Sequence, residues 1–339
     1  FVEENLASLQ GLVKSIKGIA VICGYVDRNP GKAGNLLYNA AVLFEGGEIL
    51  YRAYKRLLPT YDVFDETRYF EPGSECTPFR YKNYRIGLAV CEDIWNDREF
   101  FMKQRYPIDP VERMVNEGAN LIINVAASPY YAGKREFKRD MFLNIARKYE
   151  VPLVYVNQVG GNDSVIFDGI SLAYSAKGEL VARARDFEED MVVYDSANQE
   201  GEIHSISQSD IESILSALIM GTRDYVRKCG FSKALVGLSG GIDSALTAYV
   251  AVQALGGGNV LLVFMPSQYT NKENFGDTKT LATNLGTELV TIPIDAEFKT
   301  LLNDLSPLLK GVATEVTGQN LQARIRGTML MAISNRLGH

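Results

Sequence analysis

The stretch VGLSGGIDSA, residues 236–245, decides how the second half of this 339-residue chain is read. The apolar run Ala234 to Leu238 has the composition of a buried strand. Ser239, Gly240 and Gly241 make a tight turn, and Asp243 starts an amphipathic helix. A strand, a glycine turn and a helix start, in that order, aim backbone N–H groups and a helix N-terminus at an anion. A glycine pair alone needs no more explanation than a left-handed turn. Here a strand residue, Gly237, precedes hydroxyls at Ser239 and Ser244 and a carboxylate at Asp243, all gathered at one helix N-terminus. Packing alone does not ask for that set. The Lys-Ser/Thr pair of the common triphosphate loop is absent. Without that lysine, N–H groups and hydroxyls can grip a leaving pyrophosphate while a nucleophile attacks the α-phosphate, and the product is an adenylate. Asp243 can hold the Mg²⁺ that neutralises the polyphosphate.

Working outward, helix 243–255 and strand 260–265 complete a βαβ unit with a parallel sheet. Upstream, Ser209 with Glu212 three residues later reads as a capping box. The helix it opens carries Ile211, Ile214, Leu215, Leu218, Ile219, Tyr225 and Val226 at helical spacing. Residues 192–208 are polar and aperiodic, as in a connector. The first 200 residues mix strands (18–26, 84–91, 119–127, 152–159), a helix (134–150) and two hairpins. One hairpin spans 37–55 and turns at Gly46-Gly47; the other spans 170–184. Packed layers of sheet and helix are implied, in two domains, 1–200 and 201–339.

Apolar residues make up 46% and charged ones 22%, the balance of a soluble globular protein. Net charge is −6 with no Lys/Arg block, which argues against a nucleic-acid partner. The longest apolar runs, such as VLLVFM at 260–265, are too short to span a bilayer, and no signal peptide is visible. Cys23, Cys76, Cys91 and Cys229 show no metal or disulfide spacing, so a reducing cytoplasm is expected. His204 lies in the connector and His339 is terminal, so a Ser-His-Asp triad has almost no material. The chain lacks an initiator Met, and MLMAISNRLGH (329–339) stops inside a helical pattern. A piece of a longer protein, cut at both ends, is expected.

GLAVCEDIW (87–95) places Cys91 at the end of a buried strand. A free cysteine there is often a small apolar core residue. Glu92-Asp93 directly after it does not suit a core, and the strand-to-turn junction looks like a nucleophile elbow. A thiol needs a base or cation to activate it. With histidine excluded, Lys or Glu must serve, and YKRLLPTYDVFDETRYFEPG (54–73) supplies both.

These motifs carry two resemblances. SGGIDSA resembles the pyrophosphate loop of the N-type ATP pyrophosphatases, and VFMPSQYTNKENFGD (263–277) and NLQARIRGTMLMAISN (320–335) resemble their NAD synthetase branch. The resemblance implies ATP binding by Gly237, Ser239, Gly240, Gly241, Asp243, Ser244 and Ser267, with Asp243 as the Mg²⁺ ligand. It places Asn320 and Arg324 at the deamido-NAD site. Arg324 and Arg326 could carry charge to phosphates or lie on a solvated helix face. The first half is similar to the nitrilase (carbon–nitrogen hydrolase) superfamily. Lys55 stands ahead of Leu-Pro, NVAASPYYAGK (124–134) matches a third motif, and Phe167-Asp168-Gly169 with Ser171 matches the closing one. That family's triad is Glu, Lys and Cys, which makes Cys91 the nucleophile and Lys55 the oxyanion partner. Its general-base Glu belongs to a motif upstream of residue 1, so this chain as it stands should be impaired in amide hydrolysis. Glu66 resembles a supporting carboxylate. Tyr61, Glu92, Ser128 and Lys134 match glutamine-binding positions, and some members have Arg where Lys134 stands.

Together the halves resemble the glutamine-dependent NAD synthetases. The implied fold is α/β, a nitrilase-like α-β-β-α sandwich followed by a Rossmann-like parallel-sheet ATP pyrophosphatase domain. The implied activity is that of a ligase: deamido-NAD, ATP and glutamine give NAD, AMP, pyrophosphate and glutamate. The small-molecule partners are glutamine, deamido-NAD and ATP, with a homo-oligomer expected by the same resemblance. Two alternatives stand beside it. The chain could amidate another carboxylate, as GMP and asparagine synthetases do with similar loops but different glutaminase folds. It could also be a non-catalytic nucleotide-binding fragment.

Overall fold

Residues along Leu37–Glu45 alternate in where they are buried, and that alternation sets the first layers. The computed structural model describes residues 1–309 and 315–338; His339 lies outside them. The first helix, α1 (Val2–Ser15), precedes an antiparallel sheet of β1 (Ala20–Arg28), β2 (Leu37–Glu45) and β3 (Glu48–Tyr54). Ala40, Val42 and Phe44 of β2 pack with Leu9 and Val13 of α1. Ala41 and Leu43 face the other way, onto a second sheet. Gly46 and Gly47 turn the hairpin with φ of 63° and 99°, as the sequence suggests.

The second sheet is built from β4 (Phe79–Tyr81), β5 (Tyr84–Val90), β6 (Leu121–Ala126) and β7 (Leu153–Asn157). Two helices, α2 (Pro110–Asn116) and α3 (Lys134–Tyr149), connect within it. The strands β8 (Val159–Asn162) and β9 (Val165–Asp168) form a separate hairpin, and β10 (Leu172–Tyr174) and β11 (Leu180–Arg183) extend the second sheet. Its order is β11-β10-β7-β6-β5-β4, with β5, β6 and β7 parallel. Ile86, Leu88 and Val90 of β5 face the first sheet, while Ala89 faces Met114 of α2 and Met141, Phe142 and Ile145 of α3. The layers are helix, sheet, sheet, helix, as the nitrilase resemblance implies.

The polar connector is more ordered than its composition suggests. The strands β12 (Tyr194–Asp195) and β13 (Glu200–Gly201) pair, Arg183 N donates to Glu202 O, and Arg183 O accepts from His204 N, each at 2.8 Å. Backbone pairing needs no hydrophobic period, so periodicity could not reveal it. His204 Nδ1 lies 2.6 Å from Asp190 Oδ2, on the surface.

The second part begins with α4 (Asp210–Lys228), capped as expected: Ser209 Oγ accepts from Glu212 N at 3.2 Å, and Glu212 Oε2 accepts from Ser209 N. Its apolar stripe is only partly buried. Ala217 and Met220 are inside, whereas Ile211, Ile214, Leu218 and Tyr225 are exposed. Next come β14 (Ala234–Leu238), α5 (Ile242–Leu255), β15 (Val260–Phe264), α6 (Lys272–Leu285), β16 (Glu288–Thr291), α7 (Asp295–Leu309) and α8 (Glu315–Leu337). β14, β15 and β16 are parallel in that order. Val260 and Leu262 pack with Ala248 and Val252 of α5, and Leu261 and Val263 with Phe298 of α7 and Ile325 of α8. A strand buried on both faces must be continuously apolar, which is why VLLVF reads as it does.

The chain divides into two compact units. One takes Phe1–Gly160 with Ile166–Ser213; the other takes Gly161–Val165 and the chain from Ile214 onward. The division falls inside α4.

Candidate functional site

At the end of β5 the chain turns into a 3₁₀ helix, Cys91–Ile94, and Cys91 takes a φ of 45°. A non-glycine residue in the left-handed region is uncommon and costs free energy, so neighbours must hold it there. Asn124 of β6, fully buried, donates from Nδ2 to Cys91 O at 3.3 Å. Asp93 does more. Its Oδ2 accepts from Val90 N at 3.1 Å and its Oδ1 from Arg56 N and Leu57 N at 2.9 Å each. One buried carboxylate thus ties the elbow to the segment that follows Lys55. Burial pushes the Asp93 carboxyl up to about 6 against the pull of those amides.

Lys55 is 1% exposed, and its Nζ donates to Glu66 Oε1 at 2.6 Å. The other oxygen, Glu66 Oε2, accepts from Asn39 Nδ2 at 3.2 Å. Burial works to strip the Lys55 ammonium of its proton, but the charges of Cys91 and Glu66 outweigh it and its pKa is raised. Burial raises the Cys91 thiol, and Lys55 pulls it back down. Burial thus favours the protonated Cys91 thiol, while the Glu66 carboxylate favours the charged form of Lys55. Such a pair suits oxyanion stabilisation and still needs a base to take the thiol proton as sulfur attacks.

Beside the elbow, Glu92 Oε1 accepts from Tyr61 Oη at 2.7 Å and from Tyr106 Oη at 3.0 Å. Arg105 lies over the Tyr61 ring at 4.0 Å. Lys134, at the start of α3, is buried and donates from Nζ to Pro129 O at 2.6 Å, with the Trp95 ring 5.3 Å away. Burial first, then the charge of Lys138, lowers Lys134 to about 8. Ser128 is buried after β6, its N–H donating to Asn157 Oδ1 at 2.9 Å. Asn157 also donates to Asp168 Oδ1 at 3.1 Å, and Asp168 pairs with the buried Lys138. The structure thus assembles Cys91, Lys55, Glu66, Tyr61, Glu92, Ser128 and Lys134 around one elbow. Sequence reasoning missed Asp93's anchoring, Tyr106 and Arg105. Tyr106 had no distinguishing signal, because its loop also carries Phe100, Phe101, Met102 and Ile108.

In the second unit, the turn after β14 keeps its predicted shape. Ser239 N donates to Ser244 Oγ at 3.1 Å, the two hydroxyls are 2.9 Å apart, and Gly241 N donates to Ser239 Oγ at 3.2 Å. Gly240 has φ 87°, and a Cβ there would lie 2.7 Å from Asn274 Cβ, so only glycine fits. Asn274 of α6 donates to Ser239 O at 3.0 Å. A cleft of about 490 Å³ opens at the carboxyl ends of β14 and β15, lined by Gly237, Ser239, Ser267, Asn274 and, from α8, Gln322 and Arg326. That is where open parallel sheets bind ligands. Asp243 is exposed at the helix start. No group of three or more His, Cys, Asp or Glu side chains able to hold a metal occurs among the described residues. One carboxylate with substrate phosphates is nonetheless a common way to bind Mg²⁺, so Asp243 fits that ion. Asn320 and Arg324 are exposed on α8 and are not among the cleft-lining residues; Arg326 is.

Comparisons with known proteins agree with both halves. A family profile described as carbon-nitrogen hydrolase matches residues 3–201, and one described as NAD synthase matches 214–339. The whole chain is similar to glutamine-dependent NAD(+) synthetases, at 43% identity to that of a Synechocystis species and 37% to that of Thermotoga maritima, covering 62% and 63% of those proteins. The solved glutamine-dependent NAD+ synthetase of Acinetobacter baumannii, in complex with ADP, matches all of the chain and 62% of its own, with TM-score 0.89 and 32% identity. The chain spans about three fifths of the length of these relatives. With more than half of its residues matched, the chain belongs to the carbon–nitrogen hydrolase family, and that part is followed by a segment matching the NAD synthase family.

Proposed function

We propose that the full-length protein amidates deamido-NAD to NAD at the expense of ATP, with ammonia drawn from glutamine. The observation that carries this reading is the presence, in one chain, of a Cys91–Lys55–Glu66 elbow and a lysine-free pyrophosphate loop. An amidase has reason to be joined to an adenylating site when ammonia is the shared intermediate, because free ammonia is mostly protonated and unreactive at neutral pH.

In residues 1–200, Cys91 Sγ attacks the side-chain amide of glutamine. Lys55 and backbone N–H groups hold the oxyanion, ammonia leaves, and water releases glutamate from the thioester. Glu66 keeps Lys55 charged and in place. Glu92 with Tyr61, and Lys134 with Ser128, take the charged and polar ends of the glutamine. In residues 201–339, Gly237, Ser239, Gly240, Gly241, Ser244 and Ser267 cradle ATP, and Asp243 holds Mg²⁺. That ion supplies charge neutralisation of the polyphosphate. Asn320 and Arg324 contact deamido-NAD, and their exposure suits a site completed by a second copy of the chain. No described helix is long and apolar enough to cross a membrane.

The test supplies full-length protein with ATP, Mg²⁺ and deamido-NAD, and compares ammonia with glutamine while following NAD and pyrophosphate. NAD from both nitrogen sources is expected, with Cys91→Ala losing only the glutamine reaction. Pyrophosphate released only with another carboxylate would overturn the NAD assignment.

A further inference from the structure

Resting on that function, we infer that Arg326 is the cation that stabilises adenylyl transfer at the α-phosphate, beside a 239–244 loop that has no lysine of its own. Two clefts meet in the second unit. The first is the loop cleft already described. The second, about 660 Å³, is lined by Phe298 and Leu302 of α7 and by Glu315, Gly318 and Gln319 of α8. The clefts share three residues, Tyr269, Gln322 and Arg326. Arg326 is the only charged side chain lining the loop cleft among the described residues. Its Nε donates to Met265 O at 3.0 Å, just past the end of β15. That bond fixes the guanidinium plane and uses one of five donors. The position is half-buried, where a cation acts more strongly than in water.

The seam between the clefts is where ATP and the carboxylate substrate must touch. A carboxylate oxygen bonds to the α-phosphorus as the bond to the bridging β-oxygen breaks, and the electron pair leaves with pyrophosphate. Negative charge on the α-phosphoryl oxygens peaks at that moment. Neither the loop hydroxyls nor its N–H groups carry a full positive charge there; Arg326 does.

The test uses full-length enzyme with ammonia as nitrogen source, so that glutamine chemistry is bypassed. Arg326→Gln is expected to lower kcat about 100-fold or more, the scale for losing one transition-state donor. ATP affinity should stay within about threefold, since ground-state phosphate contacts come from the loop. Arg326→Lys should recover part of kcat, and glutamine hydrolysis should be unaffected in both variants. Retained kcat in Arg326→Gln, with only weaker ATP binding or a lower Tm, would overturn the assignment and leave a purely structural tie to Met265. If the wild-type enzyme adenylates a carboxylate other than deamido-NAD, the substrate reading fails. The same variants read through pyrophosphate release then still decide Arg326.

Discussion

The Lys134 ammonium should make glutamine binding pH-dependent in a way its arginine counterpart does not. Lys134 is buried, and its Nζ rests between Pro129 O at 2.6 Å and the Trp95 and Tyr131 rings at 5.3 and 5.0 Å. Burial, then Lys138, lowers its pKa to about 8. A lowered lysine is charged below that value and neutral above it. Between about pH 7 and about pH 9 the deprotonated fraction climbs from roughly a tenth to roughly nine tenths, so KM for glutamine should rise about tenfold. A guanidinium stays charged over that range, so Lys134→Arg should flatten the rise. The assay is glutamate release by full-length enzyme, with KM fitted at each pH for both proteins. The Cys91 thiol affects both proteins alike, so the ratio of their KM values isolates residue 134. Ammonia-dependent NAD formation, which bypasses this site, serves as the folding control. Identical KM profiles for the two enzymes would refute the reasoning.

Asp93→Ala should leave the Arg56, Leu57 and Val90 amides without their acceptor, at about 1–3 kcal/mol for each buried donor left unpaired. Chemical denaturation should show a loss of several kcal/mol in the first unit, with glutaminase activity abolished. Gly240→Ala should weaken ATP binding at least about tenfold, because φ of 87° and the Asn274 contact both oppose a side chain; calorimetric titration checks this, and glutamine hydrolysis should be unchanged. Tyr106→Phe removes one of two donors to Glu92 Oε1. It should raise KM for glutamine about 3- to 10-fold, the scale of one ordinary hydrogen bond of about 0.5–1.5 kcal/mol, with kcat nearly unchanged.

Much of the fold was readable because its determinants are local. Gly46-Gly47 specifies a hairpin turn, Ser209 with Glu212 caps α4, and continuous apolar runs at 234–238 and 260–264 mark strands covered on both faces. The phosphate loop is local as well, since six residues supply the turn, the hydroxyls and the helix start. The elbow was half readable. Cys91 and Lys55 stood out by composition, but what holds them did not. Asp93 reaches back 36 and 37 residues to its amides, and Tyr106 arrives from 14 residues beyond Glu92. Nothing in a sequence pattern encodes such distances.

The sequence by itself determined which chemistries are possible: a thiol without histidine, a pyrophosphate loop without lysine, and two α/β layers to carry them. Tertiary structure decided which side chains stand beside those elements. Arg324 and Arg326 are equivalent by composition, yet two residues turn a helix by about 200°, placing them on opposite faces. Packing of Ile325 and Leu330 of α8 against the sheet fixes which face turns inward. It turns Arg326 into the cleft and leaves Arg324 exposed, because the helix buries its apolar stripe and the polar residues go where that rotation puts them.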